Sequence, residues 1–76
     1  MKNLLEYLII HLVTHPEEVR VEQENDDYRT IFRIFAHPDD IGRIIGYRGR
    51  TIKAIRRVGR ILAAKQNLRF RIEVEG

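Results

Sequence analysis

Leu4, Leu5, Leu8, Ile9 and Leu12 recur at spacings of one, three and four residues, which lines them up on one stripe of a helix. The spacing predicts a helix over about residues 2–14, closed by Pro16, which disfavours helical geometry at His15. The period then changes to two. Glu18-Val19-Arg20-Val21-Glu22-Gln23-Glu24 alternates charged or polar with apolar residues over its centre and predicts a half-buried strand. Asn25-Asp26-Asp27 predicts a turn, because Asx side chains bond their own backbone. A second strand is expected over about residues 28–36, with Tyr28, Thr30, Phe32, Ile34 and Ala36 on one face and Arg29, Ile31, Arg33 and Phe35 on the other. The short turn makes the two strands an antiparallel hairpin.

His37-Pro38 breaks that strand, and Asp39 or Asp40 is placed to cap a short helix from Ile41 to Ile45, stopped by Gly46. A longer helix is expected over about residues 50–66, burying Ile52, Ile55, Gly59 and Leu62, with Ala54, Val58 and Ala63 at its margins. Asn67 suits the left-handed position after it. A third strand closes the chain over residues 68–75, where Leu68, Phe70, Ile72 and Val74 alternate with Arg69, Arg71, Glu73 and Glu75. The order is α-β-β-α-α-β. Strands apolar on one face only call for an α+β fold in which helices cover one side of a three-stranded sheet. The other side carries charges of both signs, with Ile31 and Phe35 as apolar misfits that suggest a partner contact, such as a dimer.

The chain's 76 residues are read as one domain over 1–76 with a thin core. There is no cysteine, which removes disulfides and thiolate zinc sites and fits a reducing cytoplasm. Glu6 and His11 interrupt the N-terminal apolar run, which therefore does not read as a secretory signal. No stretch approaches the roughly 20 apolar residues of a membrane span, so the expectation is a soluble, cytoplasmic protein with no membrane partner. Charge changes the picture more. Residues 1–40 carry four Lys or Arg against nine Asp or Glu, whereas residues 41–76 carry ten against two. A basic half of this kind is the footprint of a polyanion binder.

The basic half contains Ile41-Gly42-Arg43-Ile44-Ile45-Gly46-Tyr47-Arg48-Gly49-Arg50-Thr51-Ile52. Gly46 and Gly49 allow a turn closed to other residues and a close approach of phosphate to backbone. The helix that follows aims its free N–H groups at the same spot, where Arg48 and Arg50 add charge and Thr51 a hydroxyl. Arg50, Lys53, Arg57 and Arg60 continue as a basic stripe, and Gly42 with Gly46 offers a smooth strip on which a base can lie. No Gly-Lys-Ser/Thr follows, so the loop is not a nucleotide P-loop. Chain-wide absence of serine and cysteine leaves the usual nucleophilic hydrolases no starting point. His11 and His15, four apart, lack a third ligand at a recognisable spacing, so no metal is expected, and no cofactor.

A GxxG between two helices, preceded by Ile-Ile and followed by Arg-Thr-Ile and a basic helix, resembles the KH domain, and the leading helix with β-β-α-α-β resembles its type II form, as in small bacterial proteins made of one such domain. The resemblance implies a non-catalytic protein that clamps about four nucleotides of single-stranded RNA. It implies a groove with Gly42, Arg43, Gly46, Tyr47, Arg48, Gly49, Arg50, Thr51, Lys53 and Arg57 on one side and the last strand with Arg69 and Arg71 on the other. It also implies a homodimer, a heterodimer with a larger KH-containing RNA-binding protein, and work as an RNA chaperone or post-transcriptional regulator. Many family members carry a lysine within the loop, where this chain has Tyr47-Arg48. Two alternatives remain: a protein-interaction adaptor built on the same fold, and a ribosome-associated factor binding ribosomal RNA.

Overall fold

Three strands form one sheet in the order β1-β2-β3, in a computed structural model that describes residues 1–75. Strand β1 (Arg20–Asn25) runs antiparallel to β2 (Thr30–Phe35), and β2 runs parallel to β3 (Phe70–Glu75). Asp26 accepts from the N–H groups of Tyr28 and Arg29, both at 2.7 Å. Those bonds close the hairpin turn as an Asx turn and hold the Asp26 carboxyl below its ordinary pKa. A parallel pair cannot be joined by a tight turn. The crossover from β2 to β3 is made by helices α2 (Ile41–Ile45) and α3 (Arg50–Lys65), with α1 (Lys2–Ile10) preceding the sheet.

The apolar faces meet as the alternation requires. Leu5 and Ile9 of α1, Ile44 of α2, and Ile52 and Ile55 of α3 form one buried cluster with Val21, Phe32, Ile34 and Ile72 of the sheet. The helices therefore cover one side, in the α-β-β-α-α-β order of an α+β fold. The other side is wet: Arg33 pairs with Glu24 and lies 3.7 Å from Glu73 and 3.9 Å from Glu75, and Arg71 lies 3.0 Å from Glu73.

Three boundaries differ from expectation. Helix α1 stops at Ile10 rather than near residue 14. The N–H groups of Thr14 and His15, which would have extended it, donate instead to the carboxylate of Asp40, at 3.0 and 2.9 Å. Pro16–Glu18 form a 3-10 turn, so β1 begins at Arg20 and not at Glu18. On α3 the fourth buried position is Ala63, and Leu62 is only half-buried. Eleven residues of helix return to within about 20° of Ile52, whereas ten fall about 80° short. Asn67 takes the left-handed conformation, with φ 52°. Phe35 is less of a misfit than its sequence suggests: the guanidinium of Arg20 lies 4.4 Å from its ring centroid, and Ile31 is half-buried.

Candidate nucleic-acid interface

Helix α2 is only five residues long, too short to be held by its own hydrogen bonds. Ile44 anchors it in the core from one side, and Asp40 anchors its start. Asp40 has no exposed surface, and its carboxylate accepts from Thr14 N–H and hydroxyl and from His15 N–H and Nδ1–H, at 2.8–3.1 Å. It does not cap the turn leading into α2. His37 does that, its Nδ1 accepting from Asp39 N–H at 3.0 Å, while its ring stacks on His15 with centroids 4.0 Å apart. Asp39 is not the cap either. The two histidines four apart in sequence go separate ways, His11 donating to the Tyr7 carbonyl and His15 to Asp40. Among the described residues, no three of His, Cys, Asp or Glu gather as a metal site.

Burial pushes the pKa of Asp40 up, but the bonds from Thr14 and His15 outweigh it and hold the carboxyl well below the usual range. A depressed folded-state pKa contributes stability above the ordinary value of 3.8 and loses it as pH falls below that value. Asp40→Asn turns an amide N–H₂ toward donors that need an acceptor. Its melting temperature should fall by roughly 5–10 °C at pH 7, for the loss of charge-assisted bonds. Thermal unfolding followed from pH 7 down to about pH 2 should show a flatter curve for the variant than for the parent below the ordinary carboxylate pKa.

Gly46 ends α2 with φ 77°, and Gly49 enters α3 with φ 74°. Both lie in the region open to glycine and closed to most side chains. Arg48 between them has φ 53°, a conformation rare for a residue of its size. Tyr47 is 71% exposed at the apex, with the guanidinium carbons of Arg48 and Arg50 at 5.3 and 5.6 Å from its ring centroid. Thr51 is half-buried and lies against Gly46. No side chain caps the start of α3, so its first N–H groups lack a side-chain partner and face the loop with the positive end of the helix dipole.

Beyond the loop, Lys53 runs beside Gly49, and Lys53, Arg56, Arg57 and Arg60 line one shallow groove. Arg56 and Arg60 also form the wall of a second, of about 450 Å³, whose other lining is Leu68, Arg69, Phe70, Arg71 and Ile72. Arg56 and Arg60 of α3 thus reach the edge strand β3, where Arg69 and Arg71 also line the rim, with Arg71 turned in addition to Glu73 on the uncovered side of the sheet. Arg56 was not among the expected residues. It flanks the buried stripe about 60° from Gly59, where a long side chain buries its stem and extends its charge to the rim; adjacency to Arg57 was its only signal in the sequence. Gly42 is exposed, with nothing within 4 Å of where a Cβ would stand. Arg43 is exposed too, 3.7 Å from Asp40. The arrangement is an open, donor-rich trough with glycine backbone at one end and an apolar floor at the other.

The model of the KhpA/KhpB KH domain matches residues 2–74. The chain belongs to the KhpA/KhpB KH-domain family. Among curated relatives, the RNA-binding protein KhpA of Halalkalibacterium halodurans is 42% identical over 74 residues, covering 97% of each chain. That of Chlamydia pneumoniae is 42% identical over 97% of this chain and 95% of its own. The Bacillus subtilis KhpA is 46% identical over a shorter span, 68% of this chain and 69% of its own. No solved structure gives a significant match. The matched span includes Gly46-Tyr47-Arg48-Gly49 between α2 and α3.

Proposed function

We propose that this chain binds single-stranded RNA in the cytoplasm, as an RNA chaperone or post-transcriptional regulator, and catalyses no reaction. The loop Gly46–Gly49 and the start of α3 hold the sugar–phosphate backbone of about four nucleotides. Gly42, Arg43, Lys53, Arg57 and the β3 side with Arg69 and Arg71 border the bases. The observation that carries this reading is the continuity of the trough. The two glycines with positive φ, the uncapped start of α3, the Lys53–Arg60 stripe and the β3 edge follow one another along a single surface. The relatives' name, RNA-binding protein, supports it. Three or four phosphates on a single strand give a log–log salt slope of about −2 to −3. Titration of a labelled single-stranded octamer between low and physiological salt reads that slope directly, and a value near zero removes the reading.

Self-association, as a homodimer or with a larger KH-containing protein, belongs to the same proposal. The Ile31–Phe35 pair expected from sequence is one candidate surface for it, with Arg20 lying over Phe35, and α3 offers a second. Val58 and Ile61, exposed at 43% and 65% on α3, leave apolar surface that a partner can bury, with Ile61 one helical turn from Arg57 at the border of the basic stripe. Sedimentation at increasing concentration should show a dimer at micromolar levels, and a strict monomer at the highest soluble concentration would count against it. Among the described residues no helix is long and apolar enough to cross a membrane.

A further inference from the structure

The edge of β3 holds a polar contact that the trough's general charge does not require. The carbonyl of Arg69 faces β2, where Thr30 N–H donates to it at 2.8 Å. By alternation along the strand, the carbonyls of Phe70, Ile72 and Val74 face outward, into the trough side of the sheet. Arg56 reaches across from α3 and donates from Nη2 to the Ile72 carbonyl at 3.1 Å. A bare carbonyl at that point would accept an exocyclic amino group, as on cytosine N4 or adenine N6. Covered, the same point presents the remaining N–H groups of a guanidinium, which has five donors and no acceptor. The other polar side chains around it, Arg60, Arg69 and Arg71, are donors only as well.

Building on the RNA reading above, we propose that Arg56 determines base preference. By bonding the Ile72 carbonyl it places guanidinium donors in front of that acceptor, so this point of the groove selects bases that turn a carbonyl oxygen toward it, O4 of uracil or O6 of guanine, over those that turn an amino group toward it, N4 of cytosine or N6 of adenine. Leu68, Phe70 and Ile72 supply the apolar floor on which the base rests, and they do not distinguish one pyrimidine from another. The distinction falls on the group at ring position 4.

Uracil and cytosine octamers test this, because the two bases differ only at that position and in the N3 proton next to it. The parent protein should bind U8 at least about fivefold more tightly than C8, the lower end of what a good side-chain-to-base contact discriminates. Arg56→Met keeps the apolar stem and uncovers the carbonyl, so the ratio should collapse to one or invert. Arg60→Met should weaken both octamers alike and keep the ratio. An octamer of pyrimidin-2-one nucleosides, with nothing at position 4, needs no protein variant and should bind the parent between the other two. Equal binding of U8 and C8 by the parent, or a ratio that survives in folded Arg56→Met, overturns the inference while leaving RNA binding in place. No binding of either octamer overturns the RNA reading, and the inference with it.

Discussion

Exchanging Tyr47 and Arg48 together for aspartate should abolish RNA binding and leave the fold standing. Both side chains are exposed at the loop apex, and neither belongs to the buried cluster. Arg48 holds a left-handed conformation, with φ 53°, and aspartate tolerates that region better than arginine does. The cost in stability should therefore stay within the usual surface range of about 0.5 kcal/mol per site. Binding is another matter. Two carboxylates would stand beside the uncapped start of α3, where the proposed grip puts phosphate oxygens, and an attractive guanidinium would be gone. A charge-assisted bond contributes about 1.5–3 kcal/mol, so losing one and adding repulsion should weaken binding by at least about thirtyfold. Fluorescence anisotropy on a single-stranded octamer measures the loss, and circular dichroism checks the fold. Arg20→Asp on the opposite face serves as the control: it pairs with Glu22 at 3.1 Å and covers Phe35, so its effect on binding should be small. A folded double variant that binds like the parent would place the site elsewhere.

The features legible from the sequence are those that short-range pattern controls. The period-two runs fixed which residues of β2 face the core, and Thr30, Phe32 and Ile34 are the buried ones. Gly46 stops α2, as a glycine at that place predicts, and Asn67 takes the positive φ expected of it. What escaped depends on partners far away in the chain. Asp40 looked like a helix cap because acids often sit there, but its carboxylate bonds residues 14 and 15, and no local pattern announces a contact across 26 positions. The same contact shortens α1. Arg56 escaped because its value lies in a carbonyl on a strand that is an edge only once the sheet is assembled. The parallel pairing of β3 with β2 was likewise invisible, since alternation fixes faces and leaves strand order open.

Alanine at Gly46, Gly49 and Gly42 should give three different outcomes, and Gly46→Ala the most severe. At Gly46 a Cβ would collide with the Thr51 hydroxyl and stand 2.7 Å from Thr51 Cβ and 2.8 Å from Thr51 N. The hydroxyl can rotate away, but the backbone nitrogen, held at the start of α3, cannot. Left-handed geometry adds about 1–2 kcal/mol for a residue with a side chain, and forced overpacking about 1–3 more. A total of about 2–5 kcal/mol is a large share of the stability available to a domain of this size, and should lower the melting temperature by roughly 10–40 °C. Gly49→Ala carries the backbone term alone, since its nearest neighbour, Lys53 Cε, is at an ordinary 3.8 Å. Gly42 lies in α2 with open space around it, so alanine there should stabilise by about 0.5–1 kcal/mol through helix propensity. Gly42→Leu should then separate fold from function: a well-folded protein whose side chain fills the strip proposed to take a base, with weakened RNA binding. Differential scanning calorimetry across the three alanine variants, in the order 46 below 49 below 42, checks the ranking. Equal melting temperatures for Gly46→Ala and Gly49→Ala would mean that the loop relaxes away from Thr51 and that the tight approach is not what holds it.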